Sequence, residues 1–222
     1  MNPKLRKLSD ISIFKTLRMN FHYLPCRQAM RLPLLVSRFT VLRELKGTVS
    51  FACRVRPGMV QIGFDTLGIV DYRRDRAIWQ NHGDITFHGP SILGACTKIC
   101  VLEGGCLSMG DNSNITGKSS IISQTGVEIG DNCLIAWDVQ IMDCDFHKIF
   151  NAAGEVTNAP RKIRIGDKVW VGSKCSILKG VTIPDNCIIA SSSTVSRALT
   201  EPDQIYGGSP AHPLHHFCKW EK

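Results

Sequence analysis

Long apolar runs are absent from this sequence. A membrane-crossing helix needs about 18 consecutive apolar residues; the most apolar early stretch, Leu32 to Leu42, is short and interrupted by Arg38. No apolar segment with a small-residue cleavage site follows the basic N-terminus, so a secretory leader is not expected. The ten cysteines contain no Cys-x-x-Cys pair and no disulfide-framework spacing. They read as reduced thiols of a cytoplasmic protein. Charged residues are only 21% against 43% hydrophobic, which argues against a disordered or coiled-coil chain. What remains is a 222-residue globular chain, long enough for one or two domains with a real core.

The formal charge of +8 is unevenly spread. Residues 1–46 hold ten Lys/Arg (Lys4, Arg6, Lys7, Lys15, Arg18, Arg27, Arg31, Arg38, Arg43, Lys46) against Asp10 and Glu44, which accounts for the whole excess. The other 176 residues balance 17 bases with 17 acids. The basic character therefore belongs to an N-terminal segment, read as one or two helices with Pro25 and Pro33 as breakers. Three roles are open to it: capping the end of the following domain, docking on an anionic membrane surface, or binding nucleic acid. No motif supports the last.

A six-residue beat organises the rest. Ile165, Val171, Ile177, Ile183, Ile189 and Val195 stand at successive steps of six; so do Ile129, Ile135 and Ile141, and Met109, Ile115 and Ile121. All twelve are aliphatic. Two residues before most of them comes another apolar or small residue (Ile163, Val169, Cys175, Val181, Cys187, Ser193, Cys133, Val139). Period two inside period six means short strands joined by tight corners, not an amphipathic helix. Turn signals recur at Gly110-Asp111-Asn112, Gly130-Asp131-Asn132, Gly166-Asp167-Lys168 and Pro184-Asp185-Asn186. The first two are 20 residues apart, with two extra residues near Gly126; the next steps are 36 and 18. Three strands per 18-residue turn predict an all-β fold, a triangular parallel β-solenoid whose coils stack into one core. Cys133, Cys175 and Cys187 fall on inward positions, as small core fillers. The expected division is 1–46 basic helical segment, 47–199 solenoid (phase blurred up to about Cys100) and 200–222 tail, entered at Glu201-Pro202 and containing Gly207-Gly208-Ser209-Pro210.

The beat vanishes after Ile141 and resumes in phase at Ile163 and Ile165. Residues 142–162 are therefore an extruded loop, and long structureless loops in compact folds usually carry function.

With these motifs the chain resembles the hexapeptide-repeat acyltransferases, whose fold is a left-handed parallel β-helix, and especially the O-acetyltransferases of the galactoside, maltose, serine and surface-polysaccharide types. The resemblance covers about residues 85–215. It implies acetyl-CoA as co-substrate, no metal, a homotrimer with active sites between subunits, and a small-molecule acceptor, a sugar or lipid-linked sugar. Asp143-Cys144-Asp145-Phe146-His147 stands where the family has its catalytic histidine, at the start of such a loop. His147 would be the general base, with Asp145 or Asp143 as orienting carboxylate. Otherwise it is a loop histidine among solvated acids. Val169-Trp170-Val171-Gly172-Ser173 resembles the family's coil at the substrate or cofactor cleft. Trp170, Gly172 and Ser173 would meet the thioester, and a backbone N–H near Ser173 would hold the oxyanion; Trp170 could equally serve packing between subunits. Ala190, Ser191, Ser196 and Arg197 resemble the small-residue groove and the phosphate-binding cation for coenzyme A. His212 stands where the family's tail usually carries Lys or Arg, and Thr116, with Asn114 nearby, where the galactoside and maltose enzymes have an acceptor-binding Asn.

The expectation is an acetyl-CoA-dependent O-acetyltransferase acting by direct transfer in cell-surface polysaccharide biosynthesis. It would be cytoplasmic, with residues 1–46 as a means of contact with the inner membrane surface and no nucleic-acid partner. The alternatives are a non-catalytic solenoid scaffold or binding module, and a γ-type carbonic anhydrase. The latter needs three zinc-binding histidines, whereas His147 is the only histidine between residues 101 and 199.

Overall fold

The computed structural model describes residues 9–64, 67–71, 73–217 and 219–222. Ser12 caps α1 (Ile13–Tyr23), its Oγ accepting from Lys15 N at 3.3 Å, and Pro25 stands at the N-cap of α2 (Cys26–Ala29). The described strands then run from β1 (Leu34–Val36) to β22 (Ala211–His216). Up to β20 (Thr194–Val195), each strand from the fourth onward pairs in parallel with the strand three places before it. The chain therefore winds a three-sided coil. Face 1 contains β1, face 2 contains β2 (Thr40–Leu45) and face 3 contains β3 (Thr48–Phe51), with nine, seven and six strands respectively.

The registers follow the sequence beat. Ile165 lies beside Ile183, Ile129 beside Ile165, and Met109 beside Ile129. The twelve beat residues form three inward stacks, none more than 3% exposed. Burying each is worth roughly 1.5–3 kcal/mol relative to solvent, and this repeated gain holds strands only two or three residues long. Cys133, Cys175 and Cys187 are buried in the same stacks. Burial pushes the thiols of Cys133 and Cys187 up to about 11, as expected of inert fillers.

The corners explain the turn signals. Asn112, Asn132, Lys168 and Asn186 take positive φ where face 3 passes to face 1, a conformation Asn accepts more readily than most residues. The aspartates before them form a ladder. Asp111 N donates to Asp131 Oδ1 (2.7 Å), Asp131 N to Asp167 Oδ1 (2.8 Å) and Asp167 N to Asp185 Oδ1 (2.8 Å).

Two boundaries differ from the sequence reading. Helix ends at Ala29, and residues 34–36 and 40–45, assigned above to the basic helical segment, are strands of the first coil. Pro33 stops the helical run, and the Leu/Val-rich stretch beyond it buries better as strand. Within the expected tail, β21 (Gln204–Gly208) adds to face 1 beside β19 (Ile188–Ile189), and β22 folds back antiparallel on β21. Residues 219–222 then lie along the corner between faces 3 and 1. Trp220 donates its indole N–H to Lys168 O at 2.7 Å and packs against Trp170, ring centroids 6.0 Å apart.

The helical cap closes the first coil through polar side chains. Thr16 Oγ1 accepts from Val36 N (3.1 Å), Asn20 Oδ1 accepts from Leu34 N (3.1 Å), and Asn20 Nδ2 donates to Leu34 O (2.8 Å). The open edge of β1 is thus covered by hydrogen bonds rather than by another strand.

Candidate active site

The corner between faces 2 and 3 carries the candidate chemistry. Here β14 (Gln140–Met142) leaves face 2 and β15 (Ile163–Ile165) enters face 3, with residues 143–162 between them. Asp143 anchors the loop's base. It is fully buried, and its carboxylate accepts from Gln124 N (2.7 Å), Thr125 N (2.8 Å), Gly126 N (2.6 Å) and Ser123 Oγ (3.3 Å). Its oxygens are therefore spent on the corner of the preceding coil. The proposed orienting role for Asp143 is corrected: it pins scaffold and does not reach the imidazole. At the far end Arg161 N donates to Asp143 O (3.0 Å) and Gly180 N to Arg161 O (3.0 Å), tying the loop to the coils on both sides.

Asp145 is held differently. Lys179 Nζ and Asn158 Nδ2 (2.8 Å) donate to its Oδ2, and these bonds, the lysine's first, hold its carboxyl below the usual carboxylate range. Asp145 also leaves the His147 ring untouched. What it grips is the backbone around the histidine. His147 N donates to Asp145 O (2.7 Å), a three-residue turn that places Phe146 at φ 62°, an unusual conformation for an aromatic residue. On the other side Asn158 Nδ2 donates to His147 O (2.8 Å), while Asn158 Oδ1 accepts from Ile149 N (2.7 Å). Lys179 Nζ closes the cluster on Asn158 O (2.8 Å). The histidine backbone is fixed from both sides; its ring is exposed and accepts or donates no hydrogen bond among the described residues. A pocket of about 210 Å³ opens beside it, lined by Phe146, His147, Lys148, Val156, Asn158 and Pro160 among others.

The remaining nominated residues divide between two corners. Ser196 and Arg197, both exposed, follow β20 and turn the same corner as the loop, two coils further on. Arg197 has no carboxylate partner among the described residues. Trp170 points outward from β16 (Trp170–Val171) on face 1. Gly172, Ser173, Ala190 and Ser191 stack where face 1 passes to face 2, with Ser192 N donating to Ser173 O (2.8 Å). A side chain on Gly172 would meet Ser191 N at 2.7 Å, so close stacking of coils is reason enough for that glycine. One chain thus keeps the histidine corner and the Trp170–Ser173 corner on opposite edges of face 2. His212 is exposed, its ring 3.4 Å from Pro210 O. Among the described residues no group of three or more His, Cys, Asp and Glu side chains is placed to hold a metal ion.

Sequence reasoning missed Asn158 as the hub of the loop, and Lys179. Lys179 had a weak signal, a cation just past the buried Ile177 at a corner facing the loop; nothing marked Asn158 out from the other polar loop residues.

Two family models match the coils on either side of this loop. Residues 162–197 match the bacterial transferase hexapeptide (six repeats), and residues 107–136 the hexapeptide repeat of succinyl-transferase. These two stretches of coil are thus similar to the hexapeptide repeats of bacterial transferases. The chain is 34% identical over 121 residues to galactoside O-acetyltransferase of Escherichia coli, covering 54% of this chain and 58% of that protein. It is 32% identical over 85 residues to polysialic acid O-acetyltransferase of Neisseria meningitidis, covering 37% and 40%. Across the first curated relatives it spans between 40% and 64% of their own length. The crystal structure of the polySia-specific acetyltransferase NeuO has the same fold, with a TM-score of 0.50 at 19% identity over 83% of this chain and 89% of that one. The coil is accordingly a left-handed parallel β-helix.

Proposed function

We propose that this protein transfers an acetyl group from acetyl-coenzyme A to a sugar hydroxyl, with His147 as general base. The observation that carries the reading is the clamped backbone and free ring of His147 beside a pocket at the mouth of the extruded loop. Neutral imidazole takes the proton of the acceptor hydroxyl, and the oxygen attacks the thioester carbonyl. The tetrahedral oxyanion is held by a backbone N–H near Ser173 and collapses with release of the coenzyme A thiolate, which recovers the proton from the imidazolium. Asp145 is a positioning residue, acting through Asn158 and the turn at Phe146. Arg197, a cation without an ion-pair partner among the described residues, suits a coenzyme A phosphate, and the small residues Gly172, Ala190 and Ser191 would let an extended pantetheine arm lie against their corner. Because the two corners lie on opposite edges of one chain, a complete site needs a second copy to bring its Trp170–Ser173 corner to His147, as in a homotrimer. A sugar acceptor in polysaccharide biosynthesis is supported by the names of the galactoside and polysialic acid relatives.

The test is thiol release from acetyl-coenzyme A across a panel of sugars and serine. His147→Ala is expected to lower kcat by about 10²–10⁴-fold with unchanged melting, the range for loss of a general base. Near-wild-type turnover by that variant ends the reading. Selective thermal stabilisation by coenzyme A over adenosine diphosphate is expected of the enzyme; its absence favours a scaffold.

A further inference from the structure

The helical cap carries an apolar face that no other described residue covers. Thr16, Met19 and Asn20 of α1 turn inward. Ile13 and Phe14, 74% and 73% exposed, and the exposed Leu17 and Phe21 turn outward. At 3.6 residues per turn these four span a stripe about 100° wide. Met30, at the end of α2, is also exposed. Beside this apolar surface stand the exposed Arg18 and His22 of α1, Arg27 of α2, and Arg31. Residues 11–43 contain no Asp or Glu. The acids that bracket them are already engaged, Asp10 with Arg38 (3.1 Å) and Glu44 with Lys46 (2.9 Å) and His82 (2.7 Å). Arg18 and Arg27 form no ion pair among the described residues.

We propose that this face docks on an anionic lipid bilayer, with α1 lying in the membrane plane and its stripe sunk to the headgroup boundary. An exposed apolar stripe edged by cations, on a helix that also carries polar residues, is the pattern of an interfacial helix. Charge decides among the possible occupants. A second copy of the cap would bring like charges together around the same stripe, whereas anionic headgroups neutralise Arg18, Arg27 and Arg31 while the acyl boundary receives Ile13, Phe14, Leu17 and Phe21. The inner face, which holds Thr16, Asn20 and the buried Met19, strengthens the assignment. The helix is fastened to β1 by Thr16 and Asn20 and to the core by Met19, so its outward apolar side chains are not needed to hold it there. The inference stands apart from acetyl transfer and survives its failure.

The experiment is co-sedimentation of the full chain with vesicles of phosphatidylcholine plus phosphatidylglycerol, against vesicles of phosphatidylcholine alone. Binding is expected to the mixed vesicles and to weaken with salt. Phe14→Ser with Phe21→Ser is expected to lower partitioning at least about tenfold. Arg18→Gln with Arg27→Gln should lower it roughly fivefold per arginine. All four positions are exposed, so melting should match the wild type and loss of binding will not reflect unfolding. Protein left in the supernatant with both vesicles overturns the proposal, as does equal binding to neutral lipid or full binding by the double Phe variant. Sedimentation velocity supplies a further check: self-association abolished by the double Phe variant would assign the face to a second copy instead.

Discussion

One corner of the solenoid is turned in two ways. After β11 (Ser120–Ser123) the chain reaches β12 (Val127–Ile129) through 124–126, and after β17 (Ser176–Leu178) it reaches β18 (Thr182–Ile183) through 179–181. Between those coils, the same corner takes 143–162. The coils hold by burial, with inward aliphatic stacks and regular backbone ladders. The loop leaves Phe146, Ile149, Phe150 and Val156 exposed, and its mouth is held instead by Asp143, Asp145, Asn158 and Lys179. Burial in a periodic fold repeats, so it resists local change and leaves the same mark in every coil. Polar fastening is specific to one place, and it can fix a histidine backbone while leaving the ring free.

The largest effect expected from this contrast is in the coil. Ile177 is fully buried between Ile141 and Val195, so Ile177→Ala should cost about 2–5 kcal/mol of unfolding free energy, read from urea denaturation. The loss should appear as a single cooperative transition, because neighbouring coils share one core. A cost no larger than that of a loop substitution would break the comparison.

Asp143 is where the regions meet, and its substitution sharpens the contrast. Asp143→Ala strands three buried or half-buried backbone N–H groups of the preceding corner, at about 1–3 kcal/mol for a donor left unsatisfied. It should therefore lower both stability and turnover. If turnover falls with no change in the urea midpoint, Asp143 belongs to the chemistry rather than to the scaffold.

These two residues also show what was legible in the sequence. Ile177 announced its place because burial recurs every six residues and can be counted. Asp143 was visible as a carboxylate near His147, but its use depends on where the N–H groups of 124–126 point, which no spacing records. Asn158 was harder still: its role comes from bonds to Asp145, His147 and Ile149 that exist only once the loop has folded. The first coils were blurred for a different reason. Leu93 lies beside Ile115 and Ile85 beside Leu107, steps of 22 rather than 18, and the longer strands enclose a core filled by Trp79 and Phe87. A wider coil needs larger fillers and loses the six-residue beat. Residues 34–45 lack that beat, so the sequence alone groups them with the basic helical segment although they are strands of the first coil.

The smallest expected effect tests how the loop serves the imidazole. Asp145→Asn removes the charge facing Lys179 and keeps the shape, and a pair whose carboxylate is open to solvent is worth only about 0.2–1 kcal/mol, so melting should move little. Turnover should fall a few-fold through kcat, with KM little changed, because Asn158 and the turn at Phe146 lose part of their anchor. The pH dependence separates this indirect role from a direct one. The bonds from Lys179 and Asn158 depress the carboxyl of Asp145, so its contribution is fully present above the unfolded carboxylate value and is lost only as pH falls through the lower folded value. Asp145 therefore stays ionised throughout the working range, and the ratio of wild-type to Asp145→Asn kcat should be flat between about pH 6 and 9. Were the carboxylate bonded to the imidazole itself, removing it would destabilise the imidazolium and move the acid limb of the kcat profile to lower pH. A shifted limb would put Asp145 on the ring during turnover; a flat ratio leaves it as the fastening of the histidine's backbone.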